Sequence, residues 1–149
     1  MVNKTSSREH ATLLFFESDS KDQAIGEVVE SLDVAPSKYS LEIINEYLEK
    51  QEKVEDLISQ NTKGWTTSRL PSFDRAVLRM AVSELIKNAD VPVGTIISES
   101  VELCEKYSTP QSPKYINGVL STIAHKVRGV ELINNVNSSK SDENGSQND

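Results

Sequence analysis

The hydrophobic residues of this chain recur at helical spacing along most of its length. The cleanest stripe runs from Ile116 through Val119, Leu120 and Ile123 to Val127, at intervals of three and four residues. No segment shows the period of two that indicates a half-buried β-strand. Similar stripes predict helices over about 7–18, 25–32, 38–60, 73–85 and 97–104. The pattern predicts an all-α protein with six helices, packed as one bundle or two small ones.

Proline, glycine and polar residues separate these stripes. Pro36 and Pro71 lie between predicted helices, and Ser112 is placed to cap the last helix, with Pro113 as its first residue. The final residues are almost entirely polar, a composition typical of disordered chain. We therefore predict a helical domain over 1–134 and a disordered polar tail over 135–149.

Length and composition are those of one globular domain. The chain has 149 residues, and no apolar run approaches the roughly 20 residues of a membrane span. A single cysteine, Cys104, cannot form an internal disulfide, and no signal peptide is recognisable at the start. These features predict a cytoplasmic protein without a membrane segment.

The net charge of −7 conceals an uneven distribution. Residues 17–56 contain twelve acidic and four basic residues, whereas 106–128 contain four basic residues and no acidic one. A basic segment of this kind is either a solvated helix face or a surface for nucleic acid. Charge alone leaves both interpretations open.

Catalytic and cofactor chemistry is poorly represented. His10 and His125 lie on different predicted helices, and no Cys/His cluster has the spacing of metal ligands. No glycine-rich phosphate loop is present. Cys104 falls on an apolar stripe, which favours a buried structural thiol over a nucleophile. We expect no metal, no cofactor and no enzymatic activity.

Four segments resemble the NusB family, in order along residues 7 to 128. Residues 64–85 read GWTTSRLPSFDRAVLRMAVSEL, similar to the family pattern G-W-x-x-x-R-L-x-x-x-D-R-A-x-L-R-x-A-x-x-E-L. Residues 112–120, SPKYINGVL, resemble S-P-K-F-V-N-G-V-L. Residues 91–103 resemble the family's V-P…I-N-E-A-V-E-L-A, and 8–16 resemble R-E-x-A-L-x-x-L-[YF]. Several motifs in order form a specific signature.

The resemblance implies an all-helical fold of two packed three-helix bundles and a role in transcription antitermination. NusB proteins bind boxA RNA of ribosomal RNA leader transcripts together with NusE, a small-subunit ribosomal protein, and act on RNA polymerase with other Nus factors. The implied RNA-contacting residues are Lys4, Arg8, Gln111, Lys114, Tyr115 and Asn117. The implied NusE contacts are Phe16 and Asp74.

Physical chemistry supports specific roles for several of these residues. Lys4 and Arg8 would neutralise phosphates, and Lys114 lies at a helix N-terminus, where free N–H groups favour an anion. The ring of Tyr115 would stack on an unpaired base. We further expect Arg79 to pair with an acid such as Glu84 or Glu99. Gly118 is expected to admit a neighbouring helix, and Trp65 to anchor a loop between the bundles.

Two departures from the family keep alternatives open. The usual arginine-rich start is reduced here to Lys4 and Arg8, and Gln111 stands where the family usually carries Asp. The chain could therefore be a protein-interaction module that binds NusE with weak or no RNA affinity. A NusB-like domain of an rRNA methyltransferase is a second alternative, and the sequence leaves monomer and homodimer equally open.

Overall fold

The computed structural model describes the backbone of residues 3–63 and 70–145, with side chains described up to residue 129. Within these ranges it contains seven α-helices and no β-strand, which confirms the all-α prediction. None of the described helices is long and apolar enough to cross a lipid bilayer. The helices are α1 (Lys4–Lys21), α2 (Ile25–Glu30), α3 (Lys38–Glu49), α4 (Gln51–Asn61), α5 (Ser72–Lys87), α6 (Val93–Tyr107) and α7 (Ser112–Gly145).

Helix α1 is longer at both ends than its hydrophobic stripe because polar contacts set its limits. The Asn3 side chain accepts a hydrogen bond from the N–H of Ser6 at 2.8 Å, and the Ser6 hydroxyl accepts one from the N–H of Asn3. At the other end Asp22 is left-handed, with φ 51°, and its N–H donates to the carbonyl of Asp19. A capping box and a left-handed cap thus define the helix.

The prediction of a single helix over 38–60 is wrong, because the helical backbone is interrupted at Lys50. Lys50 has φ −123° and ψ 35°, outside the helical region, and it separates α3 from α4. The break redirects the chain so that both helices contact α5. Residues on each side of it, such as Tyr47 and Val54, are consequently buried.

Helix α5 is the element shared by the two halves of the fold. It contacts α1, α3 and α4 from the first half, and α6 and α7 from the second. Within the first half α1 contacts α2 and α3, and the rings of Phe15 and Tyr47 meet edge to face at 5.0 Å. Helices α5, α6 and α7 all contact one another. The predicted arrangement of two helical bundles is confirmed, with α4 as an additional helix that contacts α3, α5 and α7.

Helix α7 consists of two helical segments joined at Arg128, which has φ −125° and ψ 30°. The Arg128 side chain is buried and donates to the carbonyls of Leu85, Asn88 and Val91 at 3.0, 2.5 and 2.6 Å. The guanidinium thus bonds carbonyls at the end of α5 and in the turn that follows it, where a cation is favoured by the helix dipole. Helical backbone continues to Gly145, past the point at which the polar composition begins. The boundary at 134 and the disordered tail over 135–149 stay predictions.

Candidate nucleic-acid and partner interfaces

The start of α7 brings together four of the residues expected to contact RNA. Lys114 and Asn117 are exposed one turn apart on the same face, and Gln111 is exposed just before them. Tyr115 is half-buried, and its hydroxyl donates to the carbonyl of Thr62 at 3.4 Å. Burial, and to a smaller extent Asp74, raise the pKa of Tyr115, so its phenol is neutral at neutral pH. Contact of these four residues with RNA stays a prediction.

A hydrogen-bonded cluster supports the connection between α6 and α7. The hydroxyl of Ser108 donates to Oδ1 of Asp74 at 2.6 Å. The hydroxyl of Ser112 lies 3.0 Å from that of Ser108 and 2.8 Å from that of Thr109. Asp74 is 0% exposed, which contradicts the expectation that its side chain contacts NusE directly. The buried carboxylate of Asp74 therefore holds the connection between α6 and α7 through its hydrogen bond with Ser108.

The position of Arg8 contradicts the expected phosphate contact. Its side chain is 2% exposed, and its Nε and Nη2 donate to the two carboxylate oxygens of Glu84, each at 2.7 Å. Its Nη1 donates to Glu99 at 2.6 Å. The hydroxyl of Tyr39 also donates to Glu84. The guanidinium is therefore engaged inside the fold, where it joins α1 to α5 and α6.

The charges of this buried cluster stabilise one another. Burial lowers the pKa of Arg8, but the hydrogen bonds and negative charges of Glu84 and Glu99 outweigh it and raise that pKa overall. Burial and Glu84 raise the pKa of Tyr39, so its hydroxyl remains a donor. We call Arg8, Tyr39, Glu84 and Glu99 the inter-bundle cluster. The sequence does not reveal it, because its members are up to 91 residues apart.

The remaining cations differ in how strongly they are engaged. Lys4 is exposed, with its ammonium 5.3 Å from the centre of the Tyr39 ring. Lys126 is exposed and donates to Asn61 at 3.0 Å, whereas Lys106 pairs with Glu9 at 3.0 Å. Arg128 is held by backbone carbonyls. The basic segment predicted over 106–128 therefore presents less available charge than its composition suggests.

The pair of Glu9 and Lys106 predicts a pH dependence of stability. Hydrogen bonds from Tyr107 and Lys106 lower the pKa of Glu9 from its ordinary value of 4.5. A lowered folded-state pKa contributes stability above the ordinary pKa, and this is lost as the pH falls through the folded value. We expect Glu9→Gln to cost little, under about 1 kcal/mol at neutral pH, because the pair is at the surface.

Urea unfolding of the wild type and Glu9→Gln between pH 7 and pH 3 measures this dependence. The difference between the two proteins should shrink on the acid side of pH 4.5, where the carboxylate becomes protonated. The exposed pair of Lys21 and Glu17 provides a control through Glu17→Gln. If the difference in unfolding free energy between the wild type and Glu9→Gln became larger as the pH falls, the lowered pKa of Glu9 would be contradicted.

An aromatic cluster lies where the partner contact is expected. The Phe16 ring is half-buried and lies 5.8 Å from Phe73, whose ring is 5.2 Å from that of Tyr107. Tyr107 is 43% exposed, and Leu13 on α1 is 36% exposed. The partner role of Phe16 stays a prediction.

The acid partners expected for Arg79 were wrong. Arg79 donates to Glu55 at 2.7 Å and to Asp19 at 2.9 Å, joining α5 to α4 and α1. Glu84 and Glu99 instead form ion pairs with Arg8. Two further residues of the same motif, Trp65 and Arg69, lie outside the described residues, so the predicted loop anchor at Trp65 stays a prediction.

Cys104 has the environment of a structural thiol. It is fully buried, and burial, with smaller contributions from Asp74 and Glu105, raises its pKa to about 12. The thiolate that nucleophilic chemistry requires is therefore disfavoured at neutral pH. Among the described residues no group of three or more His, Cys, Asp or Glu is arranged to hold a metal ion.

The expected role of Gly118 was wrong, because none of the described helices approaches it closely. A Cβ atom built at this position meets no atom within 4 Å, and the residue is exposed on α7. We therefore expect Gly118→Ala to raise the free energy of unfolding by about 0.5–1 kcal/mol, since alanine loses less backbone entropy in a helix. Urea unfolding would measure it, and a fall in stability would indicate a close contact.

Fold and surfaces together define the class: a small two-bundle helical protein with candidate binding surfaces at the start of α7 and around α1. The sequence model of the NusB family matches residues 5–125, and the chain belongs to this family. Transcription antitermination protein NusB of Pseudarthrobacter chlorophenolicus is 32% identical over 127 residues, covering 83% of this chain and 93% of that protein.

Solved structures show the same likeness. NusB of T. maritima superposes with a TM-score of 0.71 at 30% identity, covering 83% of this chain and 91% of that one. A chain in the crystal structure of antitermination factors NusB and NusE in complex with dsRNA superposes with a TM-score of 0.68 at 25% identity. That match covers 83% of this chain and 96% of the other.

Proposed function

We propose that this chain is a cytoplasmic transcription antitermination factor that binds boxA RNA of ribosomal RNA leader transcripts together with NusE. It acts on RNA polymerase with other Nus factors, by binding and without catalysis. The observation that carries the proposal is the match over 83% of the chain to a protein solved with NusE and dsRNA.

The start of α7 offers the chemistry for a flexible RNA strand. The positive end of the helix dipole favours a phosphate, and Lys114 adds a positive charge there. The half-exposed ring of Tyr115 can stack on an unpaired base. Lys4 and Lys126 are further exposed cations. Three phosphate contacts on a single strand correspond to a slope of about −2 for log affinity against log salt.

Fluorescence anisotropy of labelled boxA RNA tests the proposal. The RNA is titrated with the chain alone, with NusE alone and with an equimolar mixture, at several salt concentrations. We expect weak binding by the chain alone, because few cations are available, and tighter binding by the mixture. An RNA of the same composition in scrambled order is the control. Equal affinity for both RNAs, or no binding by the mixture at low salt, would reject the proposal.

A protein-interaction module that binds NusE with little RNA affinity is the second candidate. The specific observation in its favour is the engagement of Arg8, Lys106 and Arg128 by other groups of the fold. This candidate predicts a stable complex with NusE in size-exclusion chromatography and no gain in RNA affinity over NusE alone. The same anisotropy titration therefore separates the two candidates.

A further inference from the structure

Asp74 occupies a buried position between two helix N-termini. It lies in the first turn of α5, and its Oδ1 accepts a hydrogen bond from Ser108, the C-cap residue of α6. Ser108 is in turn within 3.0 Å of Ser112, the first residue of α7. The fully buried Asp74 carboxylate thus reaches the four-residue connection that leads into the proposed RNA-contacting segment.

Burying the carboxylate of Asp74 carries a free-energy cost that a purely stabilising role would not explain. Its Oδ2 is buried and has no hydrogen-bond partner among the described residues. A buried carboxylate oxygen without a partner loses its hydration and receives no bond in return. A partly satisfied buried polar group in a native protein calls for an explanation beyond packing.

We propose that Asp74 is a positioning residue for RNA binding, which holds the connection over 108–111 so that Gln111, Lys114 and Tyr115 are presented together. The inference rests on the proposed function. The rest of the connection, Thr109, Pro110 and Gln111, is exposed. The hydrogen bond from the Ser108 side chain therefore links this connection to α5. Asp74 itself touches no RNA, because it is buried.

The effect on affinity follows from the ordering of the connection. With the bond in place, the connection is ordered before RNA arrives. Without the bond, the entropy cost of ordering several backbone residues is paid when RNA binds, and this lowers the affinity. We expect loss of the bond to weaken boxA binding about tenfold, the size of one hydrogen bond to a charged group. The salt slope should stay unchanged, because no cation is removed.

Four variants of the full chain test the proposal with NusE and labelled boxA RNA. Ser108→Ala and Asp74→Ala each remove one end of the bond and should each weaken RNA binding about tenfold. The double variant should be no weaker than either single one, because both remove the same bond. Ser108→Thr keeps a hydroxyl donor and should bind RNA nearly as the wild type does.

Ser100→Ala is the matched control. Ser100 is fully buried where Ser108 is half-buried, and its hydroxyl donates to the carbonyl of Ile96 within α6, away from the connection. Thermal unfolding of every variant allows affinities to be compared at equal folded fraction. If Asp74→Ala does not fold, the comparison of Ser108→Ala with Ser108→Thr and Ser100→Ala decides the question.

The outcomes are distinct. Weaker RNA binding by Ser108→Ala, with recovery in Ser108→Thr and none lost in Ser100→Ala, supports the positioning role. Wild-type affinity in a folded Ser108→Ala overturns it while leaving the proposed function intact. If the wild type itself does not bind boxA RNA with NusE, the proposed function fails and this inference falls with it.

Discussion

Arg8→Met should lower the free energy of unfolding by about 3–5 kcal/mol, the cost of removing one partner from a buried ion pair. The variant leaves Glu84 fully buried without the guanidinium that bonds both of its oxygens. It also removes the contact that joins α1 to α6 through Glu99. Urea unfolding followed by circular dichroism measures the loss, and the helices should unfold together because α1 contacts both halves of the fold.

Two comparisons separate this explanation from a general effect of losing a cation. Lys21→Met removes the exposed pair with Glu17 and should change stability by less than about 1 kcal/mol. The double variant Arg8→Met with Glu84→Gln removes both charges and should recover part of the loss. If Arg8→Met were as stable as Lys21→Met and weaker only in RNA binding, Arg8 would contact RNA after all.

The second large effect is expected at Tyr115. Tyr115→Ala should weaken boxA binding in the presence of NusE by about 10- to 100-fold, since stacking of a base on an aromatic ring contributes about 1–3 kcal/mol. The salt slope should not change, because no charge is lost. Anisotropy titrations at several salt concentrations, below the melting temperature of the variant, provide the measurement.

Tyr115→Phe is the control, because it keeps the ring and removes the hydroxyl that reaches the carbonyl of Thr62. It should bind RNA nearly as the wild type does. Equal losses in the two variants would assign the effect to the hydroxyl and to its contact with α4. No loss in Tyr115→Ala would mean that the proposed RNA surface is misplaced.

Hydrophobic periodicity was sufficient to predict six helices, because core-facing residues recur wherever a helix packs on another. It did not reveal the break at Lys50, since lysine and its glutamate and glutamine neighbours are good helix formers. Its consequence is seen only in the tertiary structure, where it turns α4 towards α5 and α7. The ends of α1 at Asn3 and Asp22 were missed, because polar capping residues do not contribute to the hydrophobic pattern.

The candidate site was predictable where exposure follows from local sequence, as at Gln111, Lys114 and Asn117. It was not predictable for Arg8 and Asp74, which are charged residues buried by partners from other helices. Glu84 and Glu99 were recognised as acids for an internal arginine, but Arg79 was assigned to them instead of Arg8. Which arginine faces which acid depends on the packing of α1 against α5 and α6, and one sequence does not contain that information.

The contacts of Arg128 decide where a shortened version of this protein could end. A truncation at residue 125, where the family match stops, would remove the guanidinium that donates to the carbonyls of Leu85, Asn88 and Val91. The turn between α5 and α6 would then lose these three bonds and keep the one from the Asn88 amide to the hydroxyl of Tyr39 at 3.2 Å. We therefore expect a shortened chain to be more stable if it retains Arg128, and a fluorescent label for binding studies is best attached beyond that residue.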